Sequence, residues 1–391
     1  MIYSDFLSKN ISLLGFGAMR LPTDADGGID YAATEKMIDT AIARGVNYFD
    51  TAWPYHSGES ERVVGKILSK YPRESYFLAD KYPGHQILSS YNPAEIFERQ
   101  LEKCGVEYFD FYLLHNVFEN SINTYLDPKW GIIDYFVRQK ELGRIKHLGF
   151  SSHAELPTLT RFLDICGDRM EFCQIQLNYL DWTLQKAKEK YELLTERGIP
   201  VIVMEPVRGG KLAHFDEKYE QHLKEIRPDS SVASWGFRFL QGLDNVKVIL
   251  SGMSSFEQTI DNLSTFESRQ PLSEPETNLL FDIAESLKGS VPCTECRYCC
   301  EGCPKGLDIP RFIGIYNELR YAPVTNTAMR IEFMPEEQKP FACIGCGECA
   351  RLCPQGIDIP SVMAGLCDTL KKIPSWAQIC YEREQAQKGE V

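Results

Sequence analysis

Eleven of the chain's fourteen cysteines fall between Cys293 and Cys380, and eight of them repeat one spacing. Cys293, Cys296, Cys299 and Cys303 stand at C-x2-C-x2-C-x3-C, followed by Pro304. Cys343, Cys346, Cys349 and Cys353 repeat the run, followed by Pro354. The tails match too: Gly306-Leu307-Asp308-Ile309-Pro310 and Gly356-Ile357-Asp358-Ile359-Pro360. Three thiolates with two residues between each pair wrap one face of an iron–sulfur cube, and in two-cluster proteins the fourth cysteine of each run ligates the other cluster. Paired structural zinc sites are the alternative, but they need only four ligands each and rarely use this run plus proline. The spacing therefore predicts two [4Fe–4S] clusters on those eight cysteines. From about Val291 the chain is too short, and too rich in Cys, Pro and Gly, to rely on a large apolar core, so its folding should depend on the metal. Cys300, Cys367 and Cys380 lie outside the pattern and read as ordinary thiols.

In the cytoplasm, the location expected on the grounds that follow, thiols are kept reduced, so fourteen cysteines argue for metal rather than disulfides. Met1 to Ser12 mixes apolar and charged residues without a signal-peptide core. No stretch approaches the roughly 20 apolar residues that cross a bilayer. The expected location is the cytoplasm. The net charge of −13 argues against nucleic acid or an anionic membrane as partner.

The first part of the 391 residues follows a different grammar. Short apolar runs suggest strands at Leu13–Gly17, Val46–Asp50, Tyr76–Lys81, Phe109–Leu114, His147–Ser151, Phe172–Gln176, Pro200–Met204 and Val246–Leu250. Amphipathic stretches between them suggest helices, such as Tyr31–Ala43, Ala94–Lys103 and Phe256–Phe266. Strands apolar almost throughout are expected where both faces are buried. Eight β–α units in this length predict a (β/α)₈ TIM barrel. An open doubly wound sheet is the rival, but no G-x-G-x-x-G follows an early strand. The expected domains are an α/β barrel over 1–270, a helical linker over 271–290, and a small, mainly helical iron–sulfur domain over 291–391.

On such a barrel the strand ends bring Asp50, Lys81 and His115 to the C-terminal rim, with Tyr55 just beyond Asp50. Tyrosine, with a pKa of about 10, is a poor acid at neutral pH. A nearby lysine ammonium favours phenolate and is expected to lower that pKa. An aspartate holds the lysine, and a neutral histidine orients a carbonyl oxygen. Each residue alone reads more simply as packing, capping or a solvated charge; together they point to a catalytic tetrad.

Residues 1–270 resemble the aldo-keto reductase superfamily. The family's Asp, Tyr, Lys and His tetrad matches Asp50, Tyr55, Lys81 and His115, and its D-T-A-x-x-Y-x-x-G-x-S-E signature is similar to Asp50–Glu61. Gly15-Phe16-Gly17-Ala18-Met19-Arg20 is similar to its first-strand loop. The resemblance implies NAD(P)H-dependent reduction of a small aldehyde or ketone, with Tyr55 as general acid. It also implies NADP or NAD contacts from Gly17, Met19, Arg20 and Asp50, and carboxamide contacts from Ser151 and Gln174. The pyrophosphate loop is similar to Glu205, Pro206, Val207, Arg208, Gly209, Gly210 and Lys211, and the last segment to Gly252, Gln258 and Asn262. Three positions depart from the family. Ser152 stands where many members have asparagine, and Met204 where an aromatic often stacks on nicotinamide. Gly252 and Gln258 align with residues that are commonly basic. The C-terminal part resembles two-cluster ferredoxin domains of the helical type. Its clusters are structural or redox-sensing in one reading. In the other they exchange electrons with a ferredoxin or flavoprotein partner. A cluster moves one electron and nicotinamide a hydride, and no clear flavin site stands in the sequence to couple them.

Overall fold

The structure, a computed structural model, describes residues 1–288, 291, 293, 296–353 and 355–388. Pro354, residues 289 and 290 of the expected linker, and residues 389–391 lie outside the described residues. The chain divides into two compact units, and the division falls at Leu279/Leu280, within the helix Glu274–Lys288.

The first unit opens with an antiparallel hairpin, β1 (Tyr3–Phe6) and β2 (Lys9–Ser12). Eight parallel strands follow: β3 (Leu14–Gly17), β4 (Tyr48–Asp50), β5 (Phe77–Tyr82), β6 (Phe109–Leu114), β7 (Ile145–Ser152), β8 (Cys173–Gln176), β9 (Val201–Met204) and β10 (Val246–Ser251). They close into a barrel in sequence order, with β10 returning to β3. Local chemistry explains the helices between them. Pro93–Cys104 starts at Asn92, whose side chain accepts from Glu95 N–H, and carries Pro93 in its first turn. It buries Phe97, Gln100, Leu101 and Cys104, one face at helical spacing. It ends at Gly105 with φ 64°, a left-handed cap that glycine adopts without steric penalty.

The hairpin was not anticipated in the sequence. It turns through Leu7 and Ser8 at φ 51° and 63°, the two-residue geometry that suits strand twist. Phe6 stacks on Phe111 at 5.1 Å and meets Phe172 edge-on at 5.8 Å. With Ile11 it joins a buried cluster that includes Tyr48, Ala79, Phe111, Leu113 and Ile202 from the barrel strands. These contacts, near the start of β6 and ahead of β8, lie away from the strand ends that carry Asp50 and His115.

The described residues of the second unit contain helices and no strands. The repeat in sequence is a repeat in structure. After each cysteine run the backbone turns through Gly306 or Gly356, at φ 61° and 63°, and enters a helix, Ile309–Tyr321 or Ile359–Leu370. Leu307, Ile309, Phe312, Ile357, Ile359 and Met363 pack with Cys299 and Cys349 in one small core. Among the described residues no helix is long and apolar enough to cross a membrane.

Candidate active site and cysteine-lined cavities

β4 ends in Asp50, Lys81 is the penultimate residue of β5, and His115 directly follows β6. The structure brings these three together with Tyr55. Lys81 has no exposed surface and Asp50 is 2% exposed. Lys81 Nζ donates to Asp50 Oδ1 at 2.5 Å and to the Thr51 carbonyl at 2.7 Å. The same Nζ lies 5.1 Å from the centre of the Tyr55 ring. Tyr55 meets His115 edge-on at 5.9 Å, and His85, given no role in the sequence, lies 4.3 Å from His115 between ring centres. His56 Nε2 accepts from Leu21 N–H at 3.1 Å, which ties it to the first-strand loop.

Burial lowers the Lys81 pKa, but Asp50 and then Tyr55 outweigh it, so the ammonium is held above its ordinary range. For Tyr55, burial raises the pKa, Lys81 pulls it down and Asp50 pushes it up again. The net direction is upward, whereas a lowered value was expected. Lys81 is already engaged by Asp50, and desolvation of a phenolate is the larger effect. A phenol in this state is protonated at neutral pH and can give a proton away.

A buried polar network behind the site was invisible in the sequence. Gln100 Nε2 donates to Glu61 Oε1 at 2.9 Å and to the Lys81 carbonyl at 3.1 Å. Lys103 Nζ donates to Glu61 Oε2 at 3.0 Å and to the Gly58 carbonyl at 3.1 Å. Asp80 accepts from Lys81 N–H at 2.8 Å, and burial and then Glu61 push its carboxyl well above the usual range. These partners come from helices distant in sequence, so no local motif announces them.

Many of the residues expected at the cofactor also converge. Gln174 Nε2 lies 3.6 Å from Met204 Sδ, while its buried Oε1 has no partner, as an acceptor awaiting an amide would. Ser151 Oγ accepts from Asn116 N–H, Ser152 Oγ donates to the Val117 carbonyl, and Asn262 Nδ2 donates to Ser251 Oγ. The Arg20 side chain lies 3.7 Å from Glu205 and against Gly209 and Gly252. Gly17 leaves little room before the Ser251 carbonyl, and Met19 is exposed. Pro206 is buried, whereas Gly209, Gly210 and Lys211 are exposed. Gln258 Oε1 accepts from Ser254 N–H, so its side chain caps its own loop. Arg208 points inward to Asp181 rather than outward.

In the second unit two cavities gather the eight cysteines. One, with about 370 Å³ of space partly open to solvent, is lined by Cys343, Cys346 and Cys349 together with Cys303. The other, about 300 Å³, is lined by Cys293, Cys296 and Cys299 together with Cys353. Each run thus lends its fourth cysteine to the other's cavity. A structural zinc gathers four ligands at about 2.3 Å from one point. Among the described residues no three of His, Cys, Asp and Glu converge on a single ion position. Four thiols spread around an apolar cavity suit a larger polynuclear group.

The buried ion pair has a direct consequence for stability. Lys81→Met leaves Asp50 buried and uncompensated, and should destabilise the first unit by about 3–5 kcal/mol. The double variant Asp50→Asn/Lys81→Met should recover most of that loss, as read from denaturant midpoints; equal midpoints for wild type and Lys81→Met would refute the pairing.

Comparison with known proteins agrees with this geometry. Residues 13–285 match the aldo/keto reductase family, and residues 292–357 match the 4Fe-4S dicluster domain. The chain is similar to the uncharacterized oxidoreductase YqkF of Bacillus subtilis, 24% identical over 303 residues, covering 69% of this chain and 92% of that protein. It is also similar to the NADH-specific methylglyoxal reductase of Escherichia coli, 22% identical over 306 residues, covering 67% of this chain and 91% of that protein. Among solved structures it is similar to the holo form of aldo-keto reductase AKR11C1 from Bacillus halodurans, with 26% identity and a TM-score of 0.56 over 71% of this chain and 93% of that one. The chain belongs to the aldo/keto reductase family of NAD(P)H-dependent oxidoreductases, and carries a C-terminal 4Fe-4S ferredoxin-type domain.

Proposed function

We propose that this protein reduces a small aldehyde or ketone with NADPH or NADH, and that Tyr55 supplies the proton. The observation that carries the reading is Lys81, an ammonium sealed from water, 2.5 Å from Asp50 and 5.1 Å from the Tyr55 ring. The nicotinamide, when bound, supplies the hydride. Tyr55 donates its proton to the carbonyl oxygen as charge develops there. Lys81, kept cationic by Asp50, stabilises the phenolate left behind. His115 orients the carbonyl oxygen from beside Tyr55. Gln174 Oε1 and Ser151 would hold the carboxamide, and the Glu205–Lys211 turn would hold the diphosphate. Similarity to a methylglyoxal reductase supports a small carbonyl substrate.

The C-terminal domain holds two [4Fe–4S] clusters in a structural or redox-sensing role. A second reading, electron exchange with a ferredoxin or flavoprotein, is favoured by the exposure of Cys296 and Cys346, and of Ile344 at 61% within a cysteine loop.

Tyr55→Phe should keep cofactor binding and lower carbonyl reduction by about two orders of magnitude or more. Near-normal turnover in that variant would remove Tyr55 from the role. A phenol raised by burial loses its proton only as pH climbs past its ordinary value of about 10. The wild-type rate should therefore hold through neutral pH and fall only in that alkaline range.

Cofactor preference should be weak. Gly252 and Gln258 offer no cation to a 2′-phosphate, and Arg208 is engaged by Asp181. The dissociation constants for NADPH and NADH should agree within about tenfold, about 1.4 kcal/mol. A hundredfold preference for NADPH, measured by calorimetry, would mean that Arg20 or Lys211 reaches the phosphate.

Protein purified without oxygen should contain about eight iron and eight sulfide per chain, as two cubes require. Because Cys303 lines the second run's cavity, Cys303→Ser should empty that cluster and leave about four iron. Stoichiometric zinc without a brown chromophore would overturn the assignment. Bleaching of the clusters on adding NADH would favour the electron-exchange reading.

A further inference from the structure

We propose that Asp181 is the positioning residue for the cofactor's diphosphate: it locks the Glu205–Gly210 turn in its receiving shape by engaging Arg208, and so withholds that guanidinium from the phosphates. The inference rests on the nicotinamide reading above and identifies what builds its diphosphate subsite.

The turn is backbone under strain. Glu205 and Arg208 take φ of 57° and 48°, followed by Gly209 at 62° and Gly210 at 91°. Non-glycine residues visit the left-handed region rarely, and they stay there when the surroundings over-determine them. Gly209 and Gly210 are exposed, and no atom lies within 4 Å of where a Gly210 Cβ would sit, so the backbone there is open to a ligand. Glycine permits a close approach of main-chain N–H groups to an anion.

The over-determination comes from below. Asp181 has no exposed surface, and its Oδ2 accepts from three donors: Gln176 Nε2 at 2.8 Å, Asn178 Nδ2 at 2.7 Å and Arg208 Nε at 3.1 Å. Asn178 Nδ2 also donates to the Glu205 carbonyl at 3.0 Å, and Asn178 Oδ1 accepts from Asp181 N–H at 2.8 Å. Both ends of the turn are therefore fastened to one carboxylate, Glu205 through Asn178 and Arg208 directly. Gln176 and Asn178 come from the end of β8 and the residues after it, so the hub ties two neighbouring rim segments together. A guanidinium this buried, held by a carboxylate that also serves two amides, is not available to swing outward. The diphosphate is then received by main chain, not by Arg208.

The two possible roles of Arg208 give opposite signs. Calorimetry with NADPH, NADH and ADP-ribose isolates the shared diphosphate. In Asp181→Asn all three dissociation constants should rise by about tenfold or more, about 1.4 kcal/mol. The carbonyl KM at saturating cofactor should stay unchanged, a split that general loosening of the barrel would not produce. Tighter binding would show a released Arg208 reaching the phosphate, and equal binding would show an idle hub; either overturns the proposal. Should Asp181→Asn fail to fold, Asn178→Ala cuts the tie to Glu205 and leaves the ion pair in place. It should weaken all three ligands by roughly threefold to tenfold, the worth of one hydrogen bond; unchanged binding overturns the proposal there as well. Failure of the wild type to bind any of the three ligands would instead refute the nicotinamide reading, and this inference with it.

Discussion

A lysine ammonium sealed from water persists only if its desolvation is offset by partners in place before any ligand arrives. Lys81 has two, Asp50 and the Thr51 carbonyl, and barrel register puts them there. β4 and β5 are adjacent parallel strands in which Asp50 lies opposite Ala79. Lys81, two residues beyond Ala79, points to the same face, because strand side chains alternate. Asp80, between them, points the other way, where it meets Cys104 and Glu61 from the surrounding helices. One step along β5 thus separates the inward lysine of the proposed chemistry from a buried carboxyl that belongs to its support.

The barrel could be read in the sequence because parallel strands buried on both faces are apolar runs with glycine-terminated helices between them. Phe109–Leu114 is found as expected, and the other seven strands differ by one or two residues at their ends, where hydrogen bonding rather than hydropathy decides. The β1–β2 hairpin was missed for a physical reason: Phe6, Leu7 and Ile11 make no alternating pattern among Ser4, Asp5, Ser8, Lys9 and Asn10, and Phe6 packs on Phe111 and Phe172, far along the chain. The helix Glu217–Ile226, not among those named from the sequence, sets Tyr219, Leu223 and Ile226 at helical spacing but buries only Leu223. At the rim, residue types, strand ends and the surrounding signature were enough to expect Asp50, Tyr55, Lys81 and His115 side by side, as they lie. The direction of the Tyr55 shift was not readable, since it depends on how much water the fold leaves around the phenol. Nor was the inward turn of Arg208, because its partner Asp181 precedes it by 27 residues.

The cysteine runs lie at the other extreme, where spacing alone nearly specifies the structure. Residues three apart on a tight turn cannot all point away from one centre, and the proline that follows Cys303 ends the run. The run pattern also implied that each fourth cysteine serves the other run's site; what brings this about is Ile309–Tyr321 packed on Ile359–Leu370. That packing carries Cys303 to one cavity and Cys353 to the other, so the two cavities form together. With only a small apolar core beneath them, the expectation that this unit's folding depends on its metal keeps its physical basis.

The signature from Asp50 to Glu61 divides in the same way between reacting groups and the frame that holds them. Asp50 and Tyr55 face the site. Tyr55 enters a turn whose next residues, His56 and Ser57, sit at φ 49° and 56°, left-handed and not glycine. Such a turn would relax if left alone. Ser60 Oγ holds it to the Ala18 carbonyl at 3.0 Å and to Thr51 Oγ1 at 2.9 Å, and Lys103 holds the Gly58 carbonyl while paired with Glu61. The serine and glutamate of the signature therefore act on Tyr55 through its backbone. In the proposed reduction, where Tyr55 gives its proton to a carbonyl oxygen, the placement of the phenol depends on this frame as well as on Lys81.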